Sequence, residues 1–205
     1  LQGDWSSDVC SSDLLVTDSH IIYTSGKHGS AYVNKDAVYP HTELTRQVTD
    51  AMAALVPKDE VVDAVLAPAI GAVILGQLIA NELGRIQGQP VLSVYAEKSA
   101  DNEEFLIKRG YDRLIQGRRV IVVEDIVNTG GSLLRTIQAA RKVGAQVVGA
   151  VALCNRGGIT AGELDQIPWL KSLITISLEA WDPKECPLCA KGVPINTSLG
   201  KGKSL

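Results

Sequence analysis

The chain has 205 residues, which is enough for one domain with a sizeable hydrophobic core. Its formal net charge of −3 at pH 7 argues against a nucleic-acid-binding surface, because such a surface requires a basic face. No apolar run approaches the roughly 18 residues that a membrane span needs, and no secretory signal pattern is visible. Three cysteines beyond residue 14 and a balanced charge pattern favour a reducing, cytoplasmic compartment.

The first residues differ in character from the rest. Asp4–Leu14 reads D-W-S-S-D-V-C-S-S-D-L, which is the translation of a common sequencing-library adapter. We therefore interpret residues 1–14 as translated adapter and exclude them from reasoning about the fold. Residues 15–205 are predicted to form a single domain, and we expect its native amino terminus to be missing. A polar, disordered start rich in Ser and Asp is the alternative.

Apolar runs and amphipathic segments alternate along the remaining chain. Predicted helices span residues 42 to about 56, 71 to about 83, and 132–143, and the second and third are closed by Gly84 and Gly144. Predicted strands span residues 61–67, 91–95, 120–123, 147–153 and 173–178, with a possible short strand at 105–107 in an otherwise irregular region, 96–116. Strands separated by helices predict an α/β fold with a parallel β-sheet core flanked by helices.

The most informative run is Val120–Ser132. Its apolar start predicts a strand buried on both faces, and Glu124 and Asp125 follow at the carboxyl edge, where open α/β sheets bind ligands. The turn 128–132, N-T-G-G-S, offers backbone N–H groups and hydroxyls to an anion, and a helix amino terminus follows it. The P-loop and dinucleotide motifs are absent. The run therefore predicts a phosphorylated sugar ligand; a glycine-rich turn beside two solvated acids is the alternative.

At these residues the chain resembles the type I phosphoribosyltransferases, whose signature is an apolar strand, two acids and a turn ending in T-G-G-[ST]. The resemblance implies a type I phosphoribosyltransferase-like fold with a small hood region. It also implies that the two acids hold the ribose hydroxyls of phosphoribosyl pyrophosphate (PRPP) and that the turn holds its 5-phosphate. The implied PRPP-binding residues of this run are Glu124, Asp125, Ile126, Val127, Asn128, Thr129, Gly130, Gly131 and Ser132.

Within that family, the resemblance extends to the orotate phosphoribosyltransferases over residues 15 to about 196. The segment Tyr23–Asp36 is similar to their S-G-[KR]-x-S-x-x-Y segment, which implies that Lys27 contacts PRPP. Ala69, Ile70 and Gly71 are similar to their pyrophosphate loop. Considered alone, these residues also allow a solvated lysine in a hairpin and a plain strand-to-helix turn.

Residues 96–110 correspond to the mobile catalytic loop of the family. The frequent motif R-K-x-x-K-D-H-G is absent, and the chain instead carries A-E-K and a later R-G, as one branch of the family does. The resemblance implies that Lys98, as a catalytic residue, and Arg109 meet the pyrophosphate, from this or a neighbouring subunit. A solvated, charged hairpin is the alternative.

Two residues bear on the acceptor base. Asn128 stands where many members have a Thr that contacts orotate, and its amide can still donate and accept hydrogen bonds. Arg156 matches the Arg that binds the orotate carboxylate, which a planar guanidinium suits; a surface Arg at a strand end is the alternative.

The resemblance implies an enzyme of pyrimidine biosynthesis. Its substrates would be PRPP and orotate, its cofactor Mg²⁺ bound mainly through PRPP, and its assembly a homodimer, with neither nucleic acid nor membrane as a partner. A phosphoribosyltransferase of purine salvage is one alternative. A regulator that binds PRPP without catalysis is the other.

Cys186 and Cys189 form a C-x-x-C pair, which is half of a tetrahedral zinc site. Cys154 is the only other cysteine after residue 14, so a zinc site would need a histidine or a second subunit to complete it. We interpret the pair as a structural turn of reduced thiols. A zinc site and a redox pair are the alternatives.

Overall fold

The computed structural model describes residues 15–23, 25–176 and 178–200. The adapter prediction falls on residues 1–14, which lie outside the described residues. The chain divides into two compact units: a smaller one formed by residues up to Thr42 and from Leu178 onward, and a larger one, Glu43–Ser177. A single domain over residues 15–205 stays a prediction. None of the described helices has the combined length and apolar character that crossing a bilayer demands.

The regular elements are numbered here in chain order. The strands are β1 Leu15–Val16, β2 Ile21–Ile22, β3 His28–Gly29, β4 Tyr32–Val33, β5 Ala64–Pro68, β6 Leu92–Lys98, β7 Phe105–Leu106, β8 Arg119–Val127, β9 Gln146–Asn155 and β10 Leu170–Thr175. The helices are α1 Thr42–Ala53, α2 Val73–Gln87, α3 Tyr111–Ile115, α4 Gly131–Lys142 and α5 Pro187–Ala190, with 3-10 turns at Lys35–Ala37 and Ala161–Glu163.

The larger unit is built on a six-stranded sheet with the strand order β10-β9-β8-β5-β6-β7. All neighbouring pairs are parallel except β6 and β7, which form an antiparallel hairpin. Every residue of β5 is buried, as expected for a parallel strand covered on both faces. Helix α4 packs Leu133, Ile137 and Ala140 into the core, which is the stripe that its sequence predicts. The predicted α/β fold is confirmed.

The chain reverses its direction of winding between β5 and β8. From β5 it continues through α2 to β6 on one side, and from β8 it continues through α4 to β9 on the other side. Such a topological switch point opens a crevice at the carboxyl ends of the two central strands, and ligands of open α/β sheets bind there. A ligand site is therefore expected at this edge of the sheet.

Strand β8 is longer than the sequence predicts. It continues to Val127, so Glu124 and Asp125 lie within the strand and not after it. The reason is the pairing with β9, which runs as far as Val127 opposite Asn155. Pairing with the backbone of β9 therefore holds Glu124 and Asp125 in an extended conformation, although acidic residues are disfavoured in strands.

Other boundaries also differ from the predictions, and three of these differences have an identifiable local cause. Helix α2 ends at Gln87 and is capped by Gly88 with φ of +67°, not by Gly84, because the left-handed capping conformation belongs to Gly88. Strand β10 ends at Thr175, not near residue 178, since its register against β9 ends there. The irregular region 96–116 contains α3, which at five residues is too short to show helical periodicity.

Asp63 anchors the start of β8. Its carboxylate accepts hydrogen bonds from the backbone N–H of Arg119 and from the Nε of that side chain, both at 2.9 Å, and from its Nη2 at 2.8 Å. These bonds from Arg119 hold the pKa of Asp63 below its ordinary value. The pair therefore stabilises the folded state only while the carboxyl group is ionised.

We expect Asp63→Asn to lower the free energy of unfolding by about 1 kcal/mol at neutral pH, a value reduced for the partial exposure of the pair. A carboxyl with a depressed folded-state pKa contributes stability above its unfolded-state pKa of about 3.9, and this contribution is lost as the pH falls through the folded-state pKa. Urea unfolding at pH 7 and at successively lower pH measures both effects. The exposed Asp59→Asn serves as the control, and a gap between Asp63→Asn and wild type that persists unchanged in acid contradicts the interpretation.

The smaller unit contains two short antiparallel ladders, β1 with β4 and β2 with β3. The turn before β3 includes Gly26 with φ of +82° and an exposed Lys27, the hairpin position that the sequence allows for this lysine. Segments from both ends of the chain pair within this unit, since bridges join His20 to Ile195 and His28 to Trp181.

Candidate active site

Four predicted site segments lie at the ends of four neighbouring strands, at the carboxyl edge of the large sheet. Ala69–Gly71 follow β5, Lys98 ends β6, Asn128 follows β8 and Arg156 follows β9. Because these strands are parallel, their carboxyl ends meet at the same edge. The fold therefore brings together residues that lie up to 87 positions apart in the sequence.

Both predicted acids are buried near the end of β8. Glu124 is 6% exposed and Asp125 is 9% exposed, and strand geometry directs adjacent side chains to opposite faces. Oε1 of Glu124 accepts a hydrogen bond from the backbone N–H of Asp125 at 3.2 Å, and Oδ1 of Asp125 accepts one from Ile126 N–H at 2.6 Å. The carboxylate of Asp125 thus also fixes the backbone where the phosphate turn begins.

The predicted phosphate turn encloses a small pocket. The pocket has a volume of about 90 Å³ and is lined by Glu124 and residues 126–133. Gly130 has φ of +74° and leads directly into α4, which begins at Gly131. A turn of this kind directs backbone N–H groups toward an anion at the helix amino terminus. Of the two predicted acids, Glu124 lines this pocket and Asp125 does not.

A second loop packs against the first. The carbonyl of Val127 accepts hydrogen bonds from the backbone N–H groups of Arg156 and Gly157, at 2.8 and 3.1 Å. The amide of Asn155 donates to the carbonyl of Ile159 at 2.8 Å and accepts from its N–H at 3.1 Å, which closes the loop on itself. The backbone of Arg156 is thus fixed against the segment that carries Asn128, and these are the two residues predicted to bind orotate.

Gly157 permits the close approach of these two loops. A Cβ atom at this position would lie 1.5 Å from the carbonyl oxygen of Asn128. Only glycine allows the backbones to approach so closely. Sequence reasoning missed the structural roles of Asn155 and Gly157; the turn-forming composition of N-R-G-G was the available signal.

The predicted pyrophosphate loop leaves β5 in a tight turn. The backbone N–H of Ala69 donates to the carbonyl of Ala96 at 2.7 Å, which ties the loop to the end of β6. The Ala69–Ile70 peptide bond is cis, and the Ile70 side chain is 87% exposed. The loop precedes α2, whose amino terminus faces the same edge. Its contact with pyrophosphate stays a prediction.

The predicted basic residues belong to both compact units of the chain. Arg109 pairs with Glu97, its Nη2 lying 2.7 Å from Oε1, and its guanidinium lies 5.8 Å from the ring centre of Tyr95. The hydrogen bond that Arg109 donates to Glu97 raises the pKa of Arg109, which keeps the guanidinium charged. Lys98 is exposed at the end of β6, and Lys27 is exposed in the smaller unit. The contacts of these three residues with PRPP stay predictions.

Comparison with known protein families agrees with the resemblance seen in the sequence. The phosphoribosyl transferase domain matches residues 34–184. The chain belongs to the phosphoribosyl transferase family. The matched range contains the phosphate turn, the pyrophosphate loop and Arg156, whereas Lys27 and the C-x-x-C pair lie outside it.

Curated relatives and a solved structure place this family member in the orotate branch. The orotate phosphoribosyltransferase of Thermotoga maritima is 34% identical over 185 residues, which cover 90% of this chain and 92% of that protein. The orotate phosphoribosyltransferase of Caldicellulosiruptor bescii is 32% identical over 178 residues, or 87% of each chain. The crystal structure of Mycobacterium tuberculosis orotate phosphoribosyltransferase with Fe(III) dicitrate is 25% identical, with a TM-score of 0.62 over 79% of this chain and 90% of that one. The resemblance stated from the sequence is confirmed.

Proposed function

We propose that this phosphoribosyltransferase transfers the phosphoribosyl group of PRPP to orotate, giving orotidine 5'-phosphate and pyrophosphate in pyrimidine biosynthesis. The observation that carries the proposal is the packing of the Arg156 loop on the end of the phosphate turn, through the carbonyl of Val127. One edge of the sheet then offers an anion pocket for the sugar phosphate and a guanidinium for the acceptor carboxylate. The names of the curated relatives support orotate as that acceptor.

The reaction forms a bond between a ring nitrogen of orotate and the anomeric carbon of PRPP and breaks the bond from that carbon to pyrophosphate. Positive charge develops on the ribose and negative charge on the leaving group. Glu124 and Asp125 hold the ribose hydroxyls, and their buried carboxylates favour the developing cation. The turn 128–132 holds the 5-phosphate, so the sugar is fixed at both ends.

The residues present fit a magnesium ion that binds mainly through PRPP. Mg²⁺ prefers oxygen ligands and retains several waters, and the two carboxylates at the end of β8 offer such oxygens beside the sugar hydroxyls. When bound, the ion neutralises charge on the leaving pyrophosphate. Lys98, Arg109 and Lys27 add positive charge around the same group, Lys98 as a catalytic residue.

Arg156 and Asn128 select the acceptor. The guanidinium of Arg156 pairs with the orotate carboxylate, and the amide of Asn128 contacts the pyrimidine ring. A neutral purine has no carboxylate to form an ion pair with Arg156, so it binds less well than orotate. We further expect the enzyme to act as a cytoplasmic homodimer.

An acceptor panel tests the proposal. The purified chain is mixed with PRPP, Mg²⁺ and, separately, orotate, uracil, adenine or hypoxanthine, and pyrophosphate release is followed. We expect release with orotate and at least about tenfold less with the other bases, the scale of one lost ion pair. Release with a purine but not with orotate would replace the acceptor. Tight PRPP binding without release for any base would favour the regulator.

A further inference from the structure

The smaller unit brings four metal-binding side chains together. His20, His28, Cys186 and Cys189 each offer one ligand atom, and these atoms all lie within 4.8 Å of one another. His20, His28 and Cys186 are buried, and Cys189 is at the surface. The sequence shows only the two cysteines as a half-site, and the fold supplies the two histidines that complete the set. We refer to these four residues as the His2Cys2 cluster.

The distances within the cluster resemble the edges of a zinc tetrahedron. Sγ of Cys186 and Sγ of Cys189 each lie 3.6 Å from Nε2 of His20, and Sγ of Cys189 lies 3.3 Å from Nδ1 of His28. With Zn–N about 2.0–2.1 Å and Zn–S about 2.3 Å, a tetrahedron places N and S ligands about 3.5 Å apart. The two histidine nitrogens lie 2.8 Å apart and would separate by about 0.5 Å around an ion.

Groups outside the cluster hold the ligands in their orientations. Nδ1 of His20 lies 2.7 Å from the carbonyl of Val193, and donating to that carbonyl leaves Nε2 unprotonated toward the cluster. The backbone of His28 exchanges two hydrogen bonds of 2.8 Å with Trp181. A backbone carbonyl behind a ligating histidine is the usual outer partner of a metal site.

The two cysteines are positioned by local structure. Cys186 immediately precedes α5, and Pro187 occupies the first position of that short helix. The turn of helix brings Cys189 back to the same side, which is the reason that C-x-x-C pairs recur in zinc sites. Two thiolates with two imidazoles select zinc over the hard cations, and four protein ligands leave no open position for a substrate.

We propose that the His2Cys2 cluster binds one structural Zn²⁺ ion that joins the amino-terminal and carboxyl-terminal segments of the smaller unit. His20 and Cys186 are 166 residues apart, so the ion cross-links a long stretch of chain. The strands of this unit are two residues each, and such short ladders provide little independent stability. A bound metal supplies folding free energy to small units of this kind. This inference does not depend on the proposed reaction.

Metal analysis of the whole chain tests the site. The protein is purified under reducing conditions without chelators, and zinc is measured by mass spectrometry after exhaustive dialysis. We expect about one zinc per chain, with X-ray absorption fitting two sulfur ligands at about 2.3 Å and two nitrogen ligands at about 2.0–2.1 Å. Cys186→Ser with Cys189→Ser should reduce zinc content by about tenfold or more.

Two further variants separate loss of the site from misfolding. Cys154→Ala removes a buried cysteine of the larger unit, and it should retain its zinc. Cys189→His replaces one zinc ligand by another, and it should retain zinc better than Cys189→Ser. Wild-type protein that takes up no zinc on reconstitution, absorption data without sulfur ligands, or a Cys186–Cys189 disulfide in the isolated protein would each overturn the proposal.

Discussion

Replacing Asp125 by Asn should lower kcat/KM for phosphoribosyl transfer by about a hundredfold or more, the scale of one lost electrostatic contact in a transition state. Asp125 is 9% exposed as a residue, so water has little access to screen its charge and its attraction for a developing ribose cation is correspondingly strong. Asn keeps an oxygen in the position of Oδ1, which accepts the hydrogen bond from Ile126 N–H. The substitution therefore removes the charge while the start of the phosphate turn keeps its anchor.

Steady-state kinetics with PRPP as the varied substrate measure this effect. A loss that appears in kcat reports on transition-state stabilisation, whereas a loss confined to KM reports on ground-state binding. Asp59→Asn changes an exposed carboxylate outside the site and serves as the matched control. A folded Asp125→Asn protein with nearly wild-type kcat/KM would remove Asp125 from the catalytic machinery.

Glu124→Gln distinguishes the two acids. Glu124 lines the phosphate pocket and Asp125 does not, so we expect the two carboxylates to reach the ribose from different sides. We expect Glu124→Gln to weaken PRPP binding as well as turnover, because its carboxylate lies beside the pocket in the ground state. The same assay with both variants thus assigns a separate role to each carboxylate.

The sequence predicts the sheet edge well because its signals there are local. An apolar run, two acids, a glycine turn and an amphipathic helix follow one another from Val120 to Val143, and each constrains the next. The limits of β8 could not be predicted in this way. They depend on β9, which extends the pairing to Val127 and draws both acids into the strand.

The most consequential features that sequence reasoning missed are contacts between distant segments. The His2Cys2 cluster requires His20 and His28 to meet a cysteine pair more than 150 residues later, and no local pattern marks either histidine. Similarly, Gly157 appears in the sequence as an ordinary turn residue, yet it lies against the carbonyl of Asn128, 29 positions earlier. Non-local contacts of this kind depend on the topology of the whole unit and are not encoded in any short window.

Gly157→Ala should disturb at once both of the loops that we propose bind the substrates. The added methyl carbon would lie 1.5 Å from the carbonyl oxygen of Asn128 and 2.7 Å from its carbonyl carbon, so backbone must move. Separation of the loops weakens the two hydrogen bonds that Val127 accepts from Arg156 and Gly157. Overpacking of this kind costs about 1–3 kcal/mol of stability, and a displacement of about 1 Å in a binding group can lower the rate about a hundredfold.

Gly162→Ala provides the matched control, because its nearest neighbour would be the Thr160 hydroxyl at 3.9 Å, an ordinary contact. Urea unfolding separates the stability loss from the kinetic loss, and kcat/KM is compared for orotate and for PRPP in the folded variant. If Arg156 orients the acceptor and the phosphate turn orients PRPP, both values must fall together, since one carbonyl links the two loops. A Gly157→Ala enzyme that loses stability but keeps both values of kcat/KM would show that catalysis does not depend on the contact between Gly157 and Asn128. The proposed pairing of Arg156 with the acceptor would then lose its main structural support.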